Sequence, residues 1–185
     1  GEQYGRFLVD VFEEWVRHDV ARVFVQLFDV TLEAYFGRHL LCIHAPTCGY
    51  GPALEHNGDL YSCDHFVEPE HRLGNIRQLP LVDLVGSHQQ LAFGAAKRDT
   101  LPRICRECDV RFACHGECPK NRFLATPDGE PGLNYLCAGY MSFFRHIDKP
   151  AKVIVRLLKT GREAREVMPL MAGYDEQLAT AVAVA

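Results

Sequence analysis

The chain has 185 residues, 48% of them hydrophobic and 24% charged, with a formal net charge of −4. That balance supports a globular core and excludes both a disordered chain and a polybasic nucleic-acid binder. No apolar run reaches the roughly 18–20 residues a membrane span needs, and the acidic, amphipathic start GEQYGRFLVDVFEEW lacks the form of a signal peptide. Two features stand out, eight cysteines and an initial Gly1 in place of Met, the second suggesting a piece of a longer polypeptide.

In chain order, residues 1–19 read as one amphipathic helix, with Phe7, Leu8, Val11, Phe12, Trp15 and Val16 on a stripe at helical spacing. Residues 20–29 (VARVFVQLFD) are rich in Val and Phe and read as a buried strand. VTLEAYFG follows as a short helix ending at Gly37. This helix–strand–helix order is expected of the end of an α/β unit. From Leu41 the texture turns to short strands and loops. Ala53–His56 and Leu60–Cys63 flank Asn57-Gly58-Asp59, a strong hairpin signal. Arg72–Ile76 reads as a turn-rich strand, and Leu79–Lys97 as a helix interrupted near Gly86. Pro102–Arg122 shows little periodicity, and Thr126–Gly132 reads as a Pro/Gly loop. Asn134–Ile147 carries an aromatic helical stripe, and residues 149–185 read as an amphipathic helix with Val153, Leu157 and Leu158, then a frayed end. The fold class expected is α+β.

The cysteines are Cys42, Cys48, Cys63, Cys105, Cys108, Cys114, Cys118 and Cys137. A disulfide framework is disfavoured, because no secretion signal is visible and the chain is long enough to bury a core without staples. Crowded thiolates repel one another unless a cation is shared between them, so the run Cys105-x2-Cys108-x5-Cys114-x3-Cys118 points to a metal. Thiolate ligation suits zinc and iron–sulfur clusters alike. The spacing is unlike the two separated C-x2-C knuckles of a zinc ribbon, and eight cysteines divide into two four-ligand sites, which favours iron–sulfur. A zinc-stabilised binding module stays open as the alternative of a different class.

Cys42, fifteen residues, Gly58, four residues, Cys63, then the dense cysteine run and a distant Cys137 resemble the seven-cysteine SPASM pattern of radical S-adenosylmethionine enzymes. The words ALEHNGDLYSCDHFV, RLGNI, CPKNRF and NYLCAGY followed by FFRH, together with Cys48, resemble the anaerobic sulfatase-maturating enzymes over about residues 20–147. A SPASM domain of another peptide-modifying radical enzyme is the nearer alternative.

The resemblance implies that residues 1–41 close a partial TIM-type barrel, that 42–148 form a SPASM domain with a β-hairpin, cluster-binding loops and helices, and that 149–185 form a tail. It implies two auxiliary 4Fe–4S clusters, the first on Cys42, Cys48, Cys63 and Cys118, the second on Cys105, Cys108, Cys114 and Cys137. Asp64 matches the general base expected in oxidation of a sulfatase Ser or Cys to Cα-formylglycine, a role suited to a carboxylate whose pKa burial raises. His44, His65 and His115 beside cysteines could serve as alternate ligands but are expected to be neighbours of the sites, and Tyr61 and Phe66 to be packing residues. His115-Gly116-Glu117 departs from the Gly-Gly common in that family before the last cysteine of the dense run.

No C-x3-C-x2-C motif precedes Cys42, so S-adenosylmethionine and a third cluster are expected in a part absent from this sequence, and the chain alone is expected to be inactive. The expected partners are a sulfatase polypeptide and an electron donor such as flavodoxin or ferredoxin, with no nucleic acid or membrane, in the cytoplasm.

Overall fold

The structure is a computed structural model and describes residues 1–171. The chain divides into two compact units, one made of residues 1–38 with the described part of 136–185, the other of residues 39–135.

The first unit is helical. α1 (Glu2–His18) buries Gly5, Leu8, Phe12, Trp15 and Val16, the expected stripe apart from Phe7, which is exposed, and Val11, which is half-buried. The expected strand over residues 20–29 does not form. Val20 is buried, but Val23 and Phe24 face solvent, and helix α2 (Gln26–Tyr35) begins inside the same run. Packing overrides propensity here. Phe28, Thr31 and Ala34 lie at helical spacing on the buried face of α2, and the Trp15 indole N–H donates to Val23 O at 2.8 Å, which pins the preceding turn. Within the unit, Phe28 meets Phe12, Trp15 and Phe143 with ring centroids 5.1, 5.2 and 5.8 Å apart.

The aromatic stripe after Asn134 becomes α7 (Cys137–Lys159), which runs through Pro150 into what the sequence suggests is a separate tail helix. Its buried positions, among them Tyr140, Phe143, Ile147, Ala151 and Ile154, recur every three or four residues. Of the tail positions named from the sequence, Leu157 is buried, Val153 half-buried and Leu158 exposed. The expected frayed end falls mostly in 172–185, outside the described residues. α1 crosses α7 where Gly5 meets Gly139; a Cβ on Gly5 would lie 2.7 Å from the Gly139 Cα, so neither position has room for a side chain.

The second unit mixes strands with short helices. β1 (Ala53–Leu54), β2 (Asp59–Tyr61) and β3 (Arg72–Asn75) form an antiparallel sheet in the order β1–β2–β3, with Ala53 opposite Tyr61 and Leu60 opposite Gly74. The Asn57-Gly58 turn makes the expected hairpin, with Gly58 at φ +90°. The helix expected over 79–97 is interrupted at Gly86 into α3 (Leu81–Val85) and α4 (His88–Asp99). Ser87 caps α4, its Oγ accepting from Gln90 N at 3.2 Å. The dense cysteine segment holds two single-turn helices, α5 (Arg103–Arg106) and α6 (Arg111–Cys114). The expected loop over 126–132 is the connection of a small hairpin, β4 (Leu124–Ala125) with β5 (Pro131–Leu133).

Candidate metal centre

None of the eight cysteines is joined in a disulfide, and seven of them lie in the second unit. Cys42 opens a single 3-10 turn, Cys48 lies in the loop before β1, and Cys63 follows β2. Cys105 sits on α5, Cys108 just beyond it, Cys114 ends α6, and buried Cys118 precedes another 3-10 turn. Cys137 is the first residue of α7, in the first unit.

Helix α4 assembles the loops that carry the early cysteines. Its buried positions Gln90, Gly94 and Lys97 recur at i, i+4 and i+7 and all face these loops. The Gln90 amide nitrogen donates to Gly49 O at 2.7 Å and Ser62 O at 3.0 Å, tying together the residues adjacent to Cys48 and Cys63. Cys48 N donates to Gly94 O at 3.2 Å, and a Cβ on Gly94 would stand 2.5 Å from Cys48 O. Lys97, only 1% exposed, donates from Nζ to Cys42 O and, at 2.9 Å, to Ile43 O. This polar face carries no recognisable ligand motif, and the sequence reading passes over it. The signal was three non-aliphatic residues at helical spacing in a segment otherwise read as a core helix.

The sulfurs of Cys42, Cys48, Cys63 and Cys118 form one electrostatic neighbourhood. Burial raises the Cys48 thiol, which Cys118 and Cys42 push further. Burial raises Cys63 to about 11, with Cys118 adding to the rise. Cys118 is raised by burial and, among its neighbours, by Cys42. Thiols so placed resist ionisation until a cation joins them, and a thiophilic cation or cluster is the group that removes the penalty. Donor chemistry, reduced state and partial burial therefore all fit an iron–sulfur centre.

The dense cysteine loop is organised by Arg122. Its guanidinium donates to Gly116 O at 2.8 Å, His115 O at 2.7 Å, Glu117 O at 3.0 Å and Lys97 O at 2.6 Å. His115, Gly116 and Glu117 all have left-handed backbones, at φ +47°, +72° and +56°. That geometry supplies a reason for Gly-Gly in the family pattern, since a side chain costs about 1–2 kcal/mol in the left-handed region. Here the strain is held by the Arg122 fork and by the Glu117 carboxylate, buried and accepting from Asn134 Nδ2 at 2.6 Å and Asn121 Nδ2 at 2.8 Å.

Asp64 is exposed, and its carboxyl is lowered, not raised as the base role expects, because hydrogen bonding outweighs the raising effect of burial. The neighbouring Cys63 thiol donates to Asp64 Oδ1 at 3.1 Å and holds the carboxyl below its ordinary range. His65 Nδ1 lies 3.4 Å from Cys118 Sγ, and Cys63, Asp64 and His65 offer donor atoms within 4.8 Å of one another. Burial lowers His44 and His115 each to about 4, which keeps both neutral. Phe66 packs against His71 and Phe93, with centroids 4.8 and 5.3 Å away, in the packing role expected of it.

Residues 48–109 match the SPASM family, described as an iron–sulfur cluster-binding domain. The chain is 53% identical over 147 residues to a serine-type anaerobic sulfatase-maturating enzyme of Bacteroides thetaiotaomicron, covering 79% of this chain and 36% of that protein. A serine-type enzyme of Klebsiella pneumoniae is 36% identical, covering 84% of this chain and 38% of its own length. A cysteine-type enzyme of Clostridium perfringens is 28% identical, over 78% of this chain and 40% of its own. Among solved structures, native anSMEcpe with bound AdoMet and Kp18Cys peptide superposes with a TM-score of 0.72 at 27% identity, covering 83% of this chain and 42% of that one. The resemblance to the anaerobic sulfatase-maturating enzymes is thus borne out over most of this chain, which spans about two-fifths of the length of these relatives.

Proposed function

We propose that this chain is the C-terminal, cluster-bearing part of an anaerobic sulfatase-maturating enzyme that oxidises a sulfatase Ser or Cys to Cα-formylglycine. The observation that carries this reading is 53% identity over 147 residues to a named serine-type maturase, together with the SPASM match over residues 48–109.

We assign Cys42, Cys48, Cys63 and Cys118 to one 4Fe–4S cluster and Cys105, Cys108, Cys114 and Cys137 to a second. When bound, all-cysteine clusters of this kind carry single electrons without an open iron for substrate. The chain's own contribution is to hold the thiolates in place through Gln90, Gly94, Lys97 and Arg122 and to shield most of them from solvent. Asp64 is assigned the role of general base for the target hydroxyl or thiol. The hydrogen bond that lowers its carboxyl comes from the Cys63 thiol and is absent once Cys63 ligates as a thiolate, so the base role rests on the exposed position of Asp64 beside that ligand. α1 and α2 are assigned to the closing elements of a partial barrel, residues 42–148 to the cluster domain, and the remainder to a tail. S-adenosylmethionine and a third cluster belong to the rest of the full protein. The more similar relatives are named serine-type, which favours a Ser target. Partners are a sulfatase polypeptide and an electron donor of the flavodoxin or ferredoxin class. Eight cysteines without a disulfide favour a reducing compartment such as the cytoplasm, and no helix among the described residues is long and apolar enough to cross a membrane.

Anaerobic purification followed by iron, sulfide and zinc analysis tests the ligand assignment. Two clusters on this segment correspond to about eight irons and eight sulfides, whereas stoichiometric zinc would sink the reading. The full protein offered sulfatase peptides should form an aldehyde, detected by mass, faster from Ser than from Cys. An Asp64→Asn form with undiminished turnover would remove Asp64 as the base.

A further inference from the structure

The second unit holds two cations, buried Lys97 and half-buried Arg122, whose charge the proposed reaction does not use. Lys97 is 1% exposed, and both hydrogen-bond acceptors found at its ammonium are neutral carbonyls, Cys42 O and Ile43 O. Arg122 is likewise bonded to four neutral carbonyls, those of Lys97, His115, Gly116 and Glu117. Neither donates to a carboxylate in these contacts. A desolvated cation is unfavourable unless a negative charge offsets it; the anionic groups acting on Lys97 are cysteine sulfurs, and those acting on Arg122 are cysteine sulfurs and the Glu117 carboxylate. Lys97 interacts electrostatically with Cys48, Cys42 and Cys118, and Arg122 with Cys105, Cys114, Cys118 and Glu117; by hydrogen bonds, Lys97 is fixed to the Cys42 turn and Arg122 to the loop between Cys114 and Cys118. The two cations are joined, because Arg122 donates to the carbonyl of Lys97 at 2.6 Å.

We propose that Lys97 and Arg122 are the fixed charges that set the reduction potentials of the two cysteine-held clusters, Lys97 acting on the Cys42 set alone and Arg122 on both. The physical basis is the Coulomb energy of a desolvated charge. Each electron a tetrathiolate cluster accepts adds one negative charge, and a cation held beside it in a medium of low dielectric favours that state. Both cations are locked by hydrogen bonds to backbone, so their field is present before the electron arrives. Arg122, placed against sulfurs of both sets, lowers the repulsion between the clusters when both are reduced, while Lys97 biases one relative to the other. The pair would thus order the two clusters on the path of the electron that leaves the substrate.

The inference rests on the proposed ligand assignment, and the experiment separates the two. In the full protein, purified anaerobically, iron and sulfide are measured first; zinc in their place overturns the ligand assignment itself. Potentiometric titration followed by electron paramagnetic resonance then compares the parent with Lys97→Met and Lys97→Arg. Lys97→Met is expected to keep its iron and to lower one auxiliary potential, making that cluster about tenfold harder to reduce at a given poise, or about 59 mV for one electron. The other auxiliary cluster should be unmoved, and Lys97→Arg should restore the parent value. Full iron with unchanged potentials in Lys97→Met overturns the proposal, as does a shift that Lys97→Arg fails to restore. Should Lys97→Met lose iron, Lys97→Gln, which retains an amide donor, takes its place in the titration; iron loss in both makes Lys97 a clamp and overturns the tuning role. Arg122→Lys, which keeps the charge but not the fork, should leave both potentials near the parent values, and a large shift in both would assign the effect to loop geometry instead.

Discussion

The two units of this chain solve the problem of a stable interior by opposite means. Among the described residues, the first unit buries Phe12, Trp15, Phe28, Phe143 and Phe144 against one another and only one polar side chain, Thr31. Among its described residues, the second buries no Phe, Tyr or Trp ring to that depth. Its interior is Leu60, Leu84, Leu101, Val110 and Ala113 together with His44, Ser62, Gln90, Lys97, Glu117, Thr126 and Asn134. Apolar burial contributes roughly 25 cal/mol per Å² without regard to direction, so the first unit tolerates changes of detail at its surface. The second depends on hydrogen bonds and charges that must each find a partner. A unit built that way is a holder for something else, and in the proposed reading the clusters supply the missing cohesion.

Removal of the clusters should break this comparison most visibly. Hydrogen exchange followed by mass spectrometry on loaded and stripped protein should show protection lost around Cys42–Cys63 and Cys105–Arg122 but kept in α1 and α7; equal loss everywhere would mean that the helical unit also leans on the metal. Next in size, Phe143→Ala should cost about 3–5 kcal/mol in denaturant unfolding, since the ring is fully buried among Phe12, Phe28 and Phe144. Gly94→Ala should do the reverse. The added methyl meets Cys48 O, so the expected outcome is loss of one cluster's share of iron with little change in helical circular dichroism. The smallest effect is expected from Ser87→Ala, about 1 kcal/mol through loss of the α4 cap, seen as earlier iron release on denaturant titration.

The left-handed run at His115, Gly116 and Glu117 shows how a departure from a family pattern is absorbed. Two residues with side chains occupy a backbone suited to glycine, and the surrounding structure compensates through Arg122 and the Glu117–Asn121–Asn134 cluster. The sequence shows the departure but not the compensation, because its parts are brought together only when the chain folds.

Local pattern carried much of the rest. The amphipathic stripe of α1, the Asn57-Gly58 hairpin, the break at Gly86 and the aromatic stripe of α7 are all legible because each depends on neighbours a few residues away. The run from Val20 to Asp29 misleads for the converse reason: its β-branched and aromatic residues favour a strand locally, while Phe28 gains more by joining the rings of Phe12, Trp15 and Phe143 from a helix. The sequence by itself determined the eight thiols, their spacing and the family they resemble. Tertiary structure alone decided that Gln90, Gly94 and Lys97 form the face on which three cysteine loops are built, and that a buried lysine and a half-buried arginine act on the sulfurs. The reason is that burial and the Coulomb field are set by distances in space, which the order of residues along a chain does not contain.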